Sequence, residues 1–546
     1  MKKNILLTGA LVLALSACGS NNAANNDAAT TTETSSTEST ASVNKEGYPI
    51  VDEKITMTLM APGLGINEWE DMDFIKDYEE KTNIHLDITT PPQSEFKTKL
   101  NLAFASQDIP DIIYAGGPNT LNAAAEVDYG SQGFLAPLED LIPEYAPNFN
   151  KLMEENPEIR QSITTVDGHI YALPHITVGP TSQWIMGPVW YNGAWMEALG
   201  VDEVPTTTDE FYDLMVRFRD EDPNGNGEAD EIPISDVNFG GIRHWFMPAF
   251  GIKGWGVNVD FDTDKVYYSF TDPGFRGYLE FMNKLYSEGL IDQEIFSQSK
   301  EQLQAKGQEN KVGVFQEWFS YFITGRDEAE AIKDPMYGPL TSEYQDTPVM
   351  PIGPGIKRGS FAVSAKNPSV EAALRWIDTF YTEEGFDYLY YGPEGSFWVW
   401  NDDKTVKEYS EAALASDDTD KYRGYVTPAY GITVPAYSVP LPPIGGETDN
   451  PFNDFIEKET KEKILDHGEL IFPLTYLTTE QQEEVSAITV ELETFMKENE
   501  AQFINGAKPI NDETWQEYLD TMNKIGAERL IEIYQASYDR WKALEE

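Results

Sequence analysis

The sequence predicts an α/β fold divided into more than one domain, on three observations. The chain has 546 residues, too many for one ordinary hydrophobic core. Apolar residues make up 40% and aromatic residues 12%, ample for folded domains. Strand-like and helix-like patterns alternate along residues 54–117, which builds a parallel sheet with helices packed on it.

The elements follow in order. "KITMTLMAPG" alternates apolar residues and is ended by Pro-Gly, so it reads as a strand. "EWEDMDFIKDYEEKTNI" places Trp69, Met72, Phe74, Ile75 and Tyr78 at helical spacing. "HLDITTPP" is a second strand, "SEFKTKLNLAFASQDIP" a second helix, and "DIIYAGG" a third strand closed by glycines. Ligands in such sheets sit at the carboxyl ends of the strands, here "APGLGINEW", "TTPPQSE" and "YAGGPNT". Neither glycine-rich piece is a nucleotide fingerprint. Glu68 stands where the third glycine would be, and "YAGGPNT" lacks the Lys-Ser/Thr of a phosphate loop.

Residues 133–160 read as a turn and short helices. "TTVDGHIYALPHIT" reads as a hairpin turning at Asp167-Gly168. Two helices follow from residue 189. The second has Thr206 to Thr208 as candidate caps and Phe211, Leu214, Met215 and Phe218 on one face.

The net charge of −54 weighs against nucleic acid and anionic membrane surfaces as partners. The single cysteine, Cys18, excludes an internal disulfide and a cysteine-based zinc site. It ends "MKKNILLTGALVLALSAC", which has a charged start, an apolar run too short to span a bilayer and small residues before the Cys. That is the form of a secretory signal over residues 1–17, and Leu15 to Cys18 resemble the bacterial lipoprotein cleavage box, which implies lipid on Cys18. Residues 18–49, rich in Ser, Thr, Asn and Ala, cannot bury enough surface to offset ordering and read as a flexible tether.

"DEDPNGNGEADEIPIS", residues 220–235, offers oxygen donors in alternation. Asp222, Asn224 and Asn226 followed by Gly227 match the first half of an EF-hand loop. The second half departs: Pro233 takes the place of the closing Glu, and Asp230 and Glu231 come early. The expected ligands are Asp222, Asn224, Asn226, the backbone carbonyl of Glu228, Asp230 and Glu231. An all-oxygen set on a flexible loop suits calcium better than magnesium, in a structural role.

Residues 190–235 are similar to a segment of the large extracellular solute-binding lipoproteins of carbohydrate ABC transporters, the LplA-type and alginate-binding branch. "GSFAVSAKNPSVEAALRWIDTFYTEEGFDYLYYGPEG", "GFLAPLEDLIPEYAPN" and residues 501–540 resemble further blocks of the family. The resemblance implies a two-lobe periplasmic-binding-protein-like fold with a hinge and a helical C-terminal region. It divides the chain into lobe one (50–173 plus 346–400), lobe two (174–345) and a mostly helical region (401–546) packing on lobe two and the hinge. It implies a lipid-anchored protein on the extracellular face of the bacterial membrane, capturing an oligosaccharide and handing it to an ABC permease by lobe closure. Calcium binding carries over with the loop.

Sugars offer C–H faces to aromatic rings and hydroxyls to polar side chains. Loop residues of the right kind are Arg243, Trp245, Trp255, Gln316, Glu317, Trp318, Trp398 and Asn119. The resemblance puts an aromatic platform at Trp318, and Arg243 would favour a uronate-containing glycan. Two other classes compete: a secreted polysaccharide hydrolase, which needs a pair of carboxylates, and a receptor for peptides or other solutes on the same fold. No HExxH, GxSxG or cysteine nucleophile accompanies the acidic residues, and the five histidines are scattered, so the expectation is a binder and not an enzyme.

Overall fold

The computed structural model describes residues 42–114, 121–446 and 450–545. The signal-like segment, Cys18, most of the tether and Asn119 lie outside the described residues.

The chain opens with β1 (Ile55–Met60), α1 (Asp73–Thr82), β2 (Ile84–Thr89), α2 (Gln93–Ser106) and β3 (Ile112–Tyr114), as the alternating pattern predicts. α1 buries Phe74, Ile75 and Tyr78 on one face and stops at Asn83, whose φ of 64° brings its N–H onto the Glu79 carbonyl. β1 runs parallel to both β2 and β3, so the three carboxyl ends point one way. α3 (Ala123–Ser131), capped by the Asn122 side chain, and α4 (Pro157–Ile163) lead to β4 (Ala172–Thr177).

The expected hairpin is only a turn. Thr165 N–H bonds the His169 carbonyl at 2.9 Å around Asp167-Gly168, but the residues before it belong to α4. β4 therefore finds its partners far away in sequence.

Residues 178–188 cross to the second lobe, which opens with β5 (Val189–Tyr191), α5 (Gly193–Leu199) and α6 (Thr208–Asp220). The Thr207 side chain accepts from Glu210 N–H and starts α6, whose Phe211, Leu214, Met215 and Phe218 are buried as their spacing requires. β6 (Ile232–Ile234), α7 (Pro273–Ser287) and β7 (Val312–Gln316) complete a three-stranded sheet ordered β5-β7-β6.

Residues 341–355 return the chain to the first lobe. There β8 (Ile356–Val363), α8 (Val370–Asp378), α9 (Thr419–Val426) and β9 (Tyr437–Ser438) close a six-stranded sheet, β9-β4-β8-β3-β1-β2. A third crossing, after β9, leads to α10 (Thr479–Ile504), α11 (Asp512–Ile525) and α12 (Ala527–Lys542).

Two main cores result. One gathers apolar residues between Ile50 and Ile176 with those between Phe361 and Ala436. The other gathers Trp184 to Met350 with Phe452 to Ile533. The expected arrangement packs residues 401–546 as one region on lobe two and the hinge. The structure divides them at the third crossing, because β9 joins the first sheet and Ala429, Val434 and Ala436 fill its core.

A strap, Thr475 to Thr479, ties the lobes beside the crossings. The Tyr476 hydroxyl donates to Glu126 on α3 at 2.8 Å, and Thr479 Oγ1 donates to Asp128. Arg358 on β8 donates to the Thr475 carbonyl at 2.8 Å and stands 4.3 Å over the Tyr476 ring. Glu126 is fully buried and its second oxygen has no partner. Burial pushes its carboxyl up to about 7, with the Arg358 charge and the Tyr476 hydroxyl pulling the other way.

Two predictions follow from this packing. An ideal Cβ at Gly193, where α5 begins, would lie 1.7 Å from the Lys333 carbonyl oxygen, so the backbone itself must move. Gly193→Ala is expected to cost more than about 2 kcal/mol in a urea titration. Glu126 binds its proton more tightly folded than unfolded, so its contribution to stability is fully present below the ordinary Glu value of 4.5 and is lost as pH rises to about 7. Glu126→Gln should flatten that fall, measured as urea midpoints between about pH 5 and about pH 8.

Candidate functional site: an aromatic platform at the second sheet's edge

β7 ends in Gln316, and the next two residues, Glu317 and Trp318, turn away from the sheet. The crossing segment before β5 lies flush on this turn. A Cβ at Gly187 would stand 2.4 Å from Trp318 N, so only glycine fits there. With the gap closed, the Gly187 carbonyl accepts from Gln316 Nε2 at 2.8 Å and from Trp245 Nε1 at 3.0 Å.

Glu317 is buried and fully engaged. One carboxylate oxygen accepts from Trp318 N–H at 2.9 Å and the other pairs with Lys300 at 2.6 Å. Its carbonyl accepts from Trp190 Nε1 at 2.8 Å. The Trp318 backbone is thus held from both sides, while the side chain is 51% exposed. The buried ring of Trp184 stacks with it, centroids 6.2 Å apart at 29°. Phe319 packs on Trp184, and Phe322, one turn on, is also exposed. A rigid, open indole with a second ring beneath it can take the C–H face of a sugar.

Beside this edge, Asp236 follows β6. Its carboxylate accepts from the N–H groups of Val237, Gly241 and Ile242, and burial raises its carboxyl above the ordinary range. Gly241 presses on the Gln316 side chain, which fixes the amide. The intervening Asn238 and Phe239 both have left-handed φ, 55° and 54°.

The first lobe presents its own lip at the carboxyl end of β1. Leu64 and Tyr425 are exposed there, and Asn67 Nδ2 bonds the Tyr425 carbonyl at 3.3 Å, tying the loop after β1 to α9. Tyr422 and Tyr425 present rings 6.3 Å apart. Sequence reasoning missed Trp184, Tyr422 and Tyr425. Trp184 sits in a loop with no periodicity, and the two tyrosines, three apart on a short helix, read as ordinary core.

Three predicted contacts are corrected. Trp245 is 1% exposed and spends its N–H on Gly187. Arg243 is buried, pairs with Glu500 at 2.8 Å and donates to the Asn238 carbonyl, so its charge is used inside the second lobe. Trp398 is buried in the first lobe, bonds the Gly392 carbonyl and carries Lys407 4.5 Å over its ring. Trp255 is only partly buried, but Arg243 and Lys497 stand 4.9 and 5.4 Å from its ring. Of the sequence set, the structure brings Gln316, Glu317 and Trp318 together.

The acidic loop lies between α6 and β6. Asp222, with φ 47°, accepts from the N–H groups of Asn226 and Gly227. Asn224 and Asn226 turn their amide nitrogens to Asp230 at 3.0 Å each. Their oxygens accept the N–H groups of Asn226 and Glu228. Lys311 reaches the second Asp230 oxygen at 3.3 Å. Among the described residues, no group of three or more His, Cys, Asp or Glu side chains is gathered as a metal cluster. The donors still fit a hard cation. Every one is an oxygen, and Glu231 Oε1 is buried without a partner. Burial raises the Glu231 carboxyl, with the charges of Asp222 and Asp230 adding to it.

Residues 67–385 match the family model for bacterial extracellular solute-binding proteins. The chain is 28% identical to the fructooligosaccharide ABC transporter substrate-binding protein FusA of Streptococcus pneumoniae, across 99% of this chain and 98% of that one. It is 25% identical to the polygalacturonan/rhamnogalacturonan-binding protein YtcQ of Bacillus subtilis, across 61% of this chain and 64% of that one. The solved structure of S. pneumoniae FusA in complex with kestose has a TM-score of 0.66 at 25% identity, covering 90% of this chain and 100% of that one. A FusA EF-hand mutant in complex with fructo-nystose gives 0.65 at 25%, with the same coverage.

The two tryptophans separate platform from core. Trp318→Ala should leave stability within about 0.5 kcal/mol, as an exposed side chain does. Trp245→Ala should cost about 3–5 kcal/mol by emptying a core site and orphaning a bond to Gly187, both read from urea denaturation.

Proposed function

On the premise that this chain belongs to the bacterial extracellular solute-binding proteins, we propose that it captures a neutral oligosaccharide between its lobes and delivers it to an ABC permease. The chain is a binding protein, not an enzyme. The observation that carries the ligand class is Trp318, held open over Trp184 while its neighbours are locked into the fold. The name of FusA, a fructooligosaccharide-binding relative, supports the same class. A neutral glycan is favoured over a uronate because the cation offered for a carboxylate, Arg243, is neutralised by Glu500. Gln316 and the first-lobe lip at Leu64 and Tyr425 supply the remaining contacts, and closure of the two lobes shields them from water.

The chain is held at the extracellular face of the membrane by lipid on Cys18, with the segment after it as the tether. The expected tether range of 18–49 is too long, because Arg375 donates to the Asn44 and Gly47 carbonyls and Val43 bridges to Val51, which binds residues 43–49 to the first lobe. Among the described residues, no helix is long and apolar enough to cross a membrane.

The acidic loop holds calcium through Asp222, Asn224, Asn226, the Glu228 carbonyl, Asp230 and Glu231. A bound divalent cation supplies the positive charge that these carboxylates lack. The EF-hand named for the FusA mutant supports this reading. Within the chain, Lys311 and the two Asn amides hold Asp230, and the backbone N–H groups of Asn226 and Gly227 hold Asp222.

Thermal melts and calorimetry with fructooligosaccharides, chitooligosaccharides, oligogalacturonates and peptides test both proposals. A neutral glycan should raise the melting temperature, and Trp318→Ala should weaken its binding about tenfold. Chelation should lower stability by up to about 2.7 kcal/mol at a calcium level a hundred times its Kd, and Glu231→Gln should abolish that response. Binding of peptides alone, or recovery of a cleaved glycan, would overturn the carrier reading.

A further inference from the structure

A cavity of about 230 Å³ opens between the lobes and shares no residue with the aromatic platform. Gln161 on α4 and Thr165 and Val166 in the turn after it form the first-lobe wall. Arg540, Trp541 and Leu544, at the end of α12, form the second-lobe wall, and the strap residue Tyr476 bridges the two.

The polar groups around this cavity are unmatched. Gln161 is 3% exposed, and neither its Oε1 nor its Nε2 has a partner. Trp541 is 8% exposed and its indole N–H has none. Arg540 Nε is also buried without a partner. The remaining Arg540 bonds go to neutral oxygens, the Tyr476 carbonyl at 3.2 Å and Gln481 Oε1 at 3.1 Å. Each such orphan costs about 1–3 kcal/mol unless a partner arrives. Four of them around one small space are a standing cost that the protein's own atoms do not relieve.

Charge narrows the class of partner. Among the described residues, Arg540 is the one charged side chain lining the cavity, and it forms no ion pair with any of them although the chain carries a net charge of −54. The other walls are apolar or carry hydroxyls already bonded within the protein: Thr165 Oγ1 to the His169 carbonyl, Ser537 Oγ to the Tyr534 carbonyl, Thr475 Oγ1 to Ser537 Oγ and the Tyr476 hydroxyl to Glu126. One guanidinium, one indole N–H and one amide suit a single carboxylate, and Val166 and Leu544 suit a short apolar body.

We propose that this cavity is a second ligand site, taking a small organic monocarboxylate between Arg540, Trp541 and Gln161. Because its walls belong to different lobes, occupancy also favours one arrangement of the lobes, and binding there and at the platform are coupled reciprocally. The site itself does not rest on the glycan reading.

The test uses the full chain without glycan, titrated with sodium acetate, butyrate or benzoate at constant ionic strength. The readout is NMR of the indole N–H signals, with Trp541 assigned from Trp541→Phe. At least one carboxylate should move the Trp541 signal saturably, and Arg540→Gln should weaken that binding about tenfold or more. Gln161→Glu, which sets a negative charge in the wall, should abolish it. Should Arg540→Gln fail to fold, Gln161→Glu and the wild-type titration decide. An equal shift with sodium chloride, no saturable shift with any of the three carboxylates, or full binding retained in a folded Arg540→Gln or Gln161→Glu variant would overturn the proposal.

Discussion

The contact on which the site depends is the absence of a side chain at Gly187. Backbone meets backbone there, closer than any Cβ would permit. That approach lets one carbonyl collect both the Gln316 amide and the Trp245 indole. It also couples the first interlobe crossing to the turn that carries Trp318. The side chains around Trp318 are therefore anchors, and Trp318 is what they hold up. A binding surface on a loop gains precision only when its supports have no freedom of their own.

Much of the fold could be read along the chain. The first three strands and two helices stand where alternation and helical spacing put them, and Thr207 caps α6 as its type suggests. These features are local, set by residues within a turn or two of each other. What the sequence did not disclose is non-local. β4 pairs with β8 and β9, far downstream, instead of with its own preceding segment. The two-residue strand β9 carries residues 401–446 to the first lobe, and nothing in its composition marks that destination.

Of the candidate site, the sequence supplies the residue types and the structure decides which of them stay open to solvent. Trp318 and Trp245 are the same residue type, yet Trp318, in a turn, is half exposed and Trp245, on the short helix Ile242–Phe246, is sealed. Burial depends on what lies above a residue in space, and single-sequence reasoning lacks that information. Arg243 illustrates the same limit: its partner, Glu500, is on a helix more than two hundred residues later. The acidic loop is a different case: its donors are close together in sequence, so their alternation can be read without the fold, and the calcium proposal rests on it.

The three crossings between lobes have a consequence for synthesis. Neither core is built from one continuous stretch of chain: the first draws on residues as late as Ala436 and the second as late as Ile533. A ribosome making this protein has therefore nearly finished before the second half-molecule has all its parts. The emerging polypeptide stays incompletely packed through most of its translation, a state in which it can be threaded through a narrow channel without first being pulled apart.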